Sequence, residues 1–374
     1  MLETMPIRPQ AGDRAPACCG MSSDRAFYSF EQQYGRPAVL VLIGANAQPT
    51  PVITDFLARL DSFTARNTDV LLMVDDNPAC LFGAALAKTP LRVIDCGAFL
   101  ARCGVGPRET LALVLDRNLR IALRSSPGQP DDLPAACLAC LDALPSEPPR
   151  DVSMPAPAIV LPNLLPHALC RYLIDLFETS PTIDGAVARV DAAGHHRSVV
   201  DHHKKHRRDL MIPPDSELHR MLQDTLLDRC APEIAKAFQA RVAYTDRILI
   251  SRYDDTGGWF RRHRDNAAGN VAFREFALSL NLNTGEYQGG HLLFPEYNDH
   301  RHAPPAGGGV IFSAAVLHEA APVTAGQRYV LLTFLHGEAG EAARRAETRQ
   351  YSPIPPSPEM SAAPAPRSPA LLPG

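Results

Sequence analysis

His263 and Asp265 stand two residues apart in the run WFRRHRDN, and His318 follows in LHEAAPV. Two imidazoles and one carboxylate on one face of a metal leave coordination positions open for a co-substrate and oxygen, the donor set of non-haem Fe(II) oxygenases. Residues i and i+2 of a strand share a face, so a strand around Phe260–Asp265 is expected to aim His263 and Asp265 at one point. Neither a Cys nor a third His is needed.

The elements that must carry these residues are legible as a change of period. Pro166 to Thr179 and Ser216 to Ala240 show helical apolar spacing and are expected to support a sheet. After them the pattern alternates, and Arg247–Arg252, Trp259–His263, Phe276–Leu282, His291–Phe294, Val310–Phe312 and Tyr329–Phe334 read as short strands between turn residues. Many short strands of this kind suggest a jelly-roll barrel. Upstream, apolar runs at Ala38–Ile43, Val70–Val74, Leu91–Ile94 and Thr110–Leu115 suit buried strands. They alternate with helix-like Val52–Ala65, Cys80–Ala87, Ala98–Cys103 and Leu133–Leu144, as in an α/β layered domain.

The expected organisation is therefore an arm over residues 1–11, an α/β domain over 12–144, a proline-rich linker over 145–158, a barrel domain over 159–340 and a tail over 341–374. Eight prolines fall in the last 23 residues, which argues for disorder there. With 374 residues two domains are the natural expectation. A formal net charge of −4 offers no global attraction for nucleic acid. The first residues lack a secretory apolar core, and no apolar run is long enough to span a bilayer, so a cytoplasmic protein without membrane partners is expected. Nine Cys, an odd number spread thinly, argue against a disulfide framework.

Residues 160–337 contain ISRYDDTGGWFRRHRDN, ALSLNLNTGEYQGGHLLFPEY and GVIFSAAVLHEAAPVTAGQRYVLLTFLHG. In order and spacing these resemble prolyl 4-hydroxylase-like 2-oxoglutarate/Fe(II) dioxygenases. The resemblance implies a double-stranded β-helix with His263, Asp265 and His318 as ligands of Fe(II), and Arg328 as partner of the distal carboxylate of 2-oxoglutarate. A guanidinium is a planar fork of donors suited to that pairing. Tyr253 matches the family tyrosine that donates to the same carboxylate, and Asn281 and Asn283 are weaker candidates for contacting the co-substrate. The implied reaction couples decarboxylation of 2-oxoglutarate to succinate with O2-dependent hydroxylation, with ascorbate as reductant. A carboxylate at Asp265, where related halogenases carry a small residue, favours hydroxylation over chlorination.

Residues 10–145, through GDRAPACCG, FYSFEQQYGRPAVLVLIGA and LRVIDCGAFLARCGV, resemble the peroxiredoxin branch of the thioredoxin fold. That family places its peroxidatic Cys at a helix N-terminus, where the thiol pKa is lowered. Here the place reads ANAQPTPVITDF, with no Cys between Ala45 and Asp55. A scaffold or docking role is expected in place of peroxidase activity. Cys18 and Cys19, and Cys137 and Cys140, read as small packing residues.

For substrate the candidates are Trp259, His291 and the strip from His195 to Arg208, where Lys204, Lys205, Arg207 and Arg208 gather with several His. The strip reads either as a solvated basic loop or as an attractor of an anionic substrate. Trp259 reads first as strand-face packing, and His291, His300, His302 and His336 do not read as ligands. The expected substrate is a protein side chain such as proline, or a small metabolite. A non-enzymatic oxygen or redox sensor built on the same iron site is the alternative, and a thiol peroxidase stands behind it. The sequence carries no signal of oligomeric state.

Overall fold

The computed structural model of the chain describes residues 8–22, 26–47, 50–74, 91–126, 132–146, 151–190, 196–200, 204–256 and 258–350. The expected helix Cys80–Ala87 and the proline-rich stretch from 351 onward lie outside them.

The first half is built on strands β1 (Cys19–Ser22), β2 (Phe27–Ser29), β3 (Ala38–Ile43), β4 (Asp69–Val74), β5 (Arg92–Asp95), β6 (Thr110–Leu115) and β7 (Ile121–Ser125). They form one sheet in the order β2-β1-β5-β4-β3-β6-β7, with β3, β4 and β5 parallel and β6 and β7 antiparallel to their neighbours. This is a thioredoxin-like mixed sheet. All six residues of β3 are buried because both faces are covered: Leu40 and Leu42 enter one apolar cluster, Val39, Val41 and Ile43 the other. Helices α1 (Thr50–Leu57), α2 (Leu60–Thr64) and α4 (Leu133–Ala143) contribute Phe56, Phe63 and Cys137 to the second cluster, and α3 (Gly97–Arg102) contributes Phe99 to the first. The single helix expected over Val52–Ala65 is thus two. The break falls at Arg59, whose guanidinium pairs with Asp132, the residue capping α4.

The second half holds β8 (Ala158–Leu161), β9 (Ile183–Asp184), β10 (Ala186–Val190), β11 (His196–Val200), β12 (Lys205–His206), β13 (Arg208–Met211), β14 (Tyr244–Thr245) and β15 (Leu249–Asp254). It continues with β16 (Trp259–His263), β17 (Phe276–Asn281), β18 (Gln288–Gly289), β19 (Leu292–Leu293), β20 (Gly309–Ser313), β21 (His318–Ala320), β22 (Val323–Ala325) and β23 (Gln327–His336). A major sheet runs β8-β20-β17-β23-β15-β13-β9, and a minor one β12-β16-β21-β19, giving a double-stranded β-helix, the jelly-roll expected from the alternating pattern.

Alternation decides which residues face the space between the sheets. On β23, Tyr329, Leu331 and Leu335 pack with helices α5 (His167–Thr179) and α6 (Glu217–Phe238), while Arg328, Leu332 and Phe334 face the cleft. Ser216 caps α6, its hydroxyl accepting from the His219 N–H at 3.1 Å. A final helix, α7 (Glu338–Gln350), replaces the start of the tail expected at 341. Its buried Glu341 accepts from Arg344 and Arg345 and faces His336, which ties the helix to the end of β23.

The two halves meet at α6. Arg229 pairs with Asp13 at 2.6 Å, and Arg120 with Glu233 at 3.1 Å, the latter pair almost wholly buried. Asn118 and Lys236 complete the hydrogen bonding of Glu233.

Candidate functional site

Strands β16 and β21 pair antiparallel with His263 directly opposite His318, and the two ring centroids stand 4.2 Å apart. The register shifts between Phe260 and His263, an irregularity that turns Phe260 into the cleft as well, where its ring stacks on His263. Asp265 lies two residues beyond the end of the strand, in the following turn, contrary to the expectation of a strand running through it. Its backbone N–H donates to the Ala314 carbonyl at 2.9 Å, which fixes the turn. From there Oδ1 reaches to 3.4 Å from His263 Nε2 and Oδ2 to 3.3 Å from His318 Nε2.

The remaining ring nitrogens are anchored. Nδ1 of His263 lies 2.7 Å from the Arg261 carbonyl, and Nδ1 of His318 lies 3.0 Å from that of Val316. A carbonyl can only accept, so each Nδ1 carries the proton and each Nε2 turns a lone pair toward Asp265, the arrangement typical of metal-ligating imidazoles. Burial pushes the His263 ring down to about 4, so it is neutral at physiological pH. With ligand atoms within 4.8 Å of one another, this donor set suits a divalent metal of the iron type.

Beside it opens a cleft between the two sheets, lined by Arg207, Tyr253, Phe260, Ser279, Arg328 and Phe334 among others. Arg328 is buried and stands opposite Tyr253 across the β15/β23 pair. One arm of its guanidinium donates to Asn281 Oδ1 at 2.9 Å, while its buried Nε has no hydrogen-bond partner among the described residues. A buried guanidinium with an orphaned donor fits an anionic ligand in the cleft. Gly290, at φ +64°, leaves room for this side chain, since a Cβ there would stand 2.7 Å from Arg328 Cδ.

The other candidates are placed differently. Asn281 reaches Arg328 and not the cleft, and Asn283 is spent on backbone, accepting from the Tyr329 N–H at 3.0 Å and donating to the Gln327 carbonyl at 2.9 Å. Trp259 is half-buried against His206, and both it and His291 stand outside the cleft lining.

The basic strip is not one solvated loop. Lys205 and Arg207 are two apart and point inward, whereas Arg208 is exposed and bonds to Thr182, and Lys204 is half-buried with its carbonyl accepting from the Arg261 N–H. His202 and His203 lie outside the described residues. Burial pushes the Lys205 ammonium down to about 7. Phe260, Ser279, Phe312 and Phe334 were missed as cleft residues, although alternation with Arg328 along β23 is a signal for Phe334.

In the first half, Cys137 and Cys140 sit within α4, and burial pushes their thiols up to about 12 and about 11, which leaves both protonated and unreactive at neutral pH. No helix among the described residues is long and apolar enough to cross a membrane.

No family model matches the chain. Among solved structures, a prolyl hydroxylase from Trichoplax adhaerens is 16% identical with a TM-score of 0.40, covering 50% of this chain and 86% of that one. A peroxidoxin from Mycobacterium tuberculosis is 17% identical with a TM-score of 0.33, covering 37% of this chain and 100% of that one. A PKHD-type hydroxylase from Cupriavidus metallidurans is 32% identical over 183 residues, 46% of this chain and 74% of the relative. At that identity, and with three quarters of the relative spanned, the chain belongs to the PKHD-type hydroxylases.

Proposed function

We propose that the chain is an Fe(II)- and 2-oxoglutarate-dependent hydroxylase acting in the cytoplasm on a protein side chain such as proline, or on a small metabolite. The observation that carries this reading is the convergence of His263, Asp265 and His318 on one side of a cleft that also holds the buried Arg328 with its unpartnered Nε. The name of the hydroxylase relative supports it independently.

His263 and His318 hold the metal through Nε2, their Nδ1 protons fixed on backbone carbonyls, and Asp265 supplies the single negative charge of the donor set. Arg328 pairs with the distal carboxylate of 2-oxoglutarate and Tyr253 donates its hydroxyl to the same group. Bound there, iron and 2-oxoglutarate supply oxygen activation coupled to decarboxylation, with ascorbate keeping the metal reduced. Phe260, Phe312 and Phe334 line the cleft with apolar surface and limit water at the reacting centre.

The test is incubation of the purified chain with Fe(II), 2-oxoglutarate, ascorbate and oxygen, with succinate quantified and candidate peptides and metabolites profiled for the gain of one oxygen atom. Succinate that depends on both iron and 2-oxoglutarate, together with an oxygenated product, is expected. Binding of both without any succinate would support the sensor instead and overturn the hydroxylase.

A further inference from the structure

Arg207 stands where the chain leaves the minor sheet at β12 and enters the major sheet at β13. In β13 and β15, Arg208 is the partner of Arg252, so one step back in the same register sets Arg207 opposite Tyr253, which in turn faces Arg328 on β23. Two guanidiniums thus flank one phenol in a row across three strands. Their central carbons lie 5.6 Å and 5.3 Å from the Tyr253 ring.

Arg207 is held firmly in this place. Its side chain is 6% exposed, its Nε lies 2.8 Å from Asp209 Oδ1, and Asp209 accepts from the Ser251 hydroxyl at 2.6 Å. Burial works against the charge of Arg207, but Asp209 outweighs it and keeps the guanidinium protonated. One arm remains for the cleft: Nη1 donates to the Tyr253 hydroxyl oxygen at 2.8 Å.

A phenol has one proton to give and an oxygen that accepts. A guanidinium that donates into that oxygen leaves the proton to be given elsewhere, and polarisation along the chain of hydrogen bonds makes it a better donor. We propose that Arg207 is a positioning residue for the co-substrate: by donating into the Tyr253 oxygen it commits the phenolic proton to the distal carboxylate of 2-oxoglutarate beside Arg328. This rests on the hydroxylase reading above, and it assigns a task to a residue that touches the carboxylate only through Tyr253.

The test is anaerobic calorimetric titration of 2-oxoglutarate into the full Fe(II)-loaded chain, for the wild type, Arg207→Met, Tyr253→Phe and the double variant, alongside thermal unfolding. Each single variant is expected to weaken binding about tenfold, the worth of one hydrogen bond to a charged group. The double variant is expected to be no weaker than Tyr253→Phe alone. In turnover, KM for 2-oxoglutarate rises while kcat at saturation holds, and Arg207→Lys recovers part of the loss. If Arg207→Met does not fold, Arg207→Gln, which keeps a polar side chain without the guanidinium, is read by the same criteria. Unchanged affinity in the Arg207 variants, or losses that add in the double variant, overturns the proposal while leaving the hydroxylase reading intact. A wild type that does not bind 2-oxoglutarate removes both, so the two failures are told apart.

Discussion

At the scale of single residues, the site depends on which polar groups are satisfied and which are left over. The Nδ1 atoms of His263 and His318 are bonded to carbonyls, and what remains, two Nε2 atoms and a carboxylate, is a donor set waiting for a cation. Lys205 is the counter-case, an ammonium buried beside Asp209 and 5.1 Å from the Phe260 ring centroid. Its folded-state pKa, about 7, lies below the ordinary 10.5, so the folded chain holds this proton less tightly than the unfolded one. Stability therefore rises as pH climbs from about 7 toward 10.5, and the penalty is fully present below 7. Lys205→Met is expected to raise Tm near pH 6 and to lose that advantage by pH 10, in scans at fixed salt. A Tm gain independent of pH would show that packing, and not the buried charge, limits stability at this site. The HxD pair is legible from residue type and spacing, whereas His318 and Arg328 enter through the resemblance of the motifs around them. The inward turn of Lys205 and Arg207 was not, since a basic run looks solvated until the two-residue alternation is tied to a sheet.

At the scale of elements, continuous apolar runs made β3 and β6 readable and a change to period two made β16 so, and all three keep the ranges expected of them. The short strands β9, β12, β14 and β18 have two residues each, too few for a period to register. Asp265 shows the limit of period reasoning: it converges with the histidines from a turn, held by the Ala314 carbonyl and not by strand geometry. The glycine pair before β19 is an element-level device for Arg328. Gly290→Ala places a Cβ 2.7 Å from Arg328 Cδ at φ +64°, and is expected to cost about 1 to 2 kcal/mol in folding stability. Displacing the guanidinium should also raise KM for 2-oxoglutarate by more than about tenfold. Gly285→Ala is the control, with φ +102° but nothing within 4 Å of the added Cβ, and should cost stability while leaving KM unchanged. Equal KM effects from both would mean that Gly290 acts through general destabilisation.

At the scale of the whole molecule, two folds recognisable in sequence are joined by contacts that no spacing reveals. Arg120 and Glu233 are 113 residues apart, and nothing in either neighbourhood announces the pairing. The pair is nearly fully buried, so removing one partner strands the other charge. Arg120→Met is expected to destabilise the chain by about 3 kcal/mol in urea unfolding and to separate one cooperative transition into two. A single unshifted transition would show that the two halves do not depend on this contact. The chain as a whole is an oxygenase-type enzyme, and its chemistry depends on three side chains of the barrel, His263, Asp265 and His318, as the candidate metal ligands. Anaerobic titration of Fe(II) into the wild type and Asp265→Ala tests it most directly. One saturable Fe(II) site per chain is expected in the wild type, with affinity lowered at least about tenfold when the carboxylate is removed. Undiminished binding in Asp265→Ala, or no binding in the wild type, would contradict it.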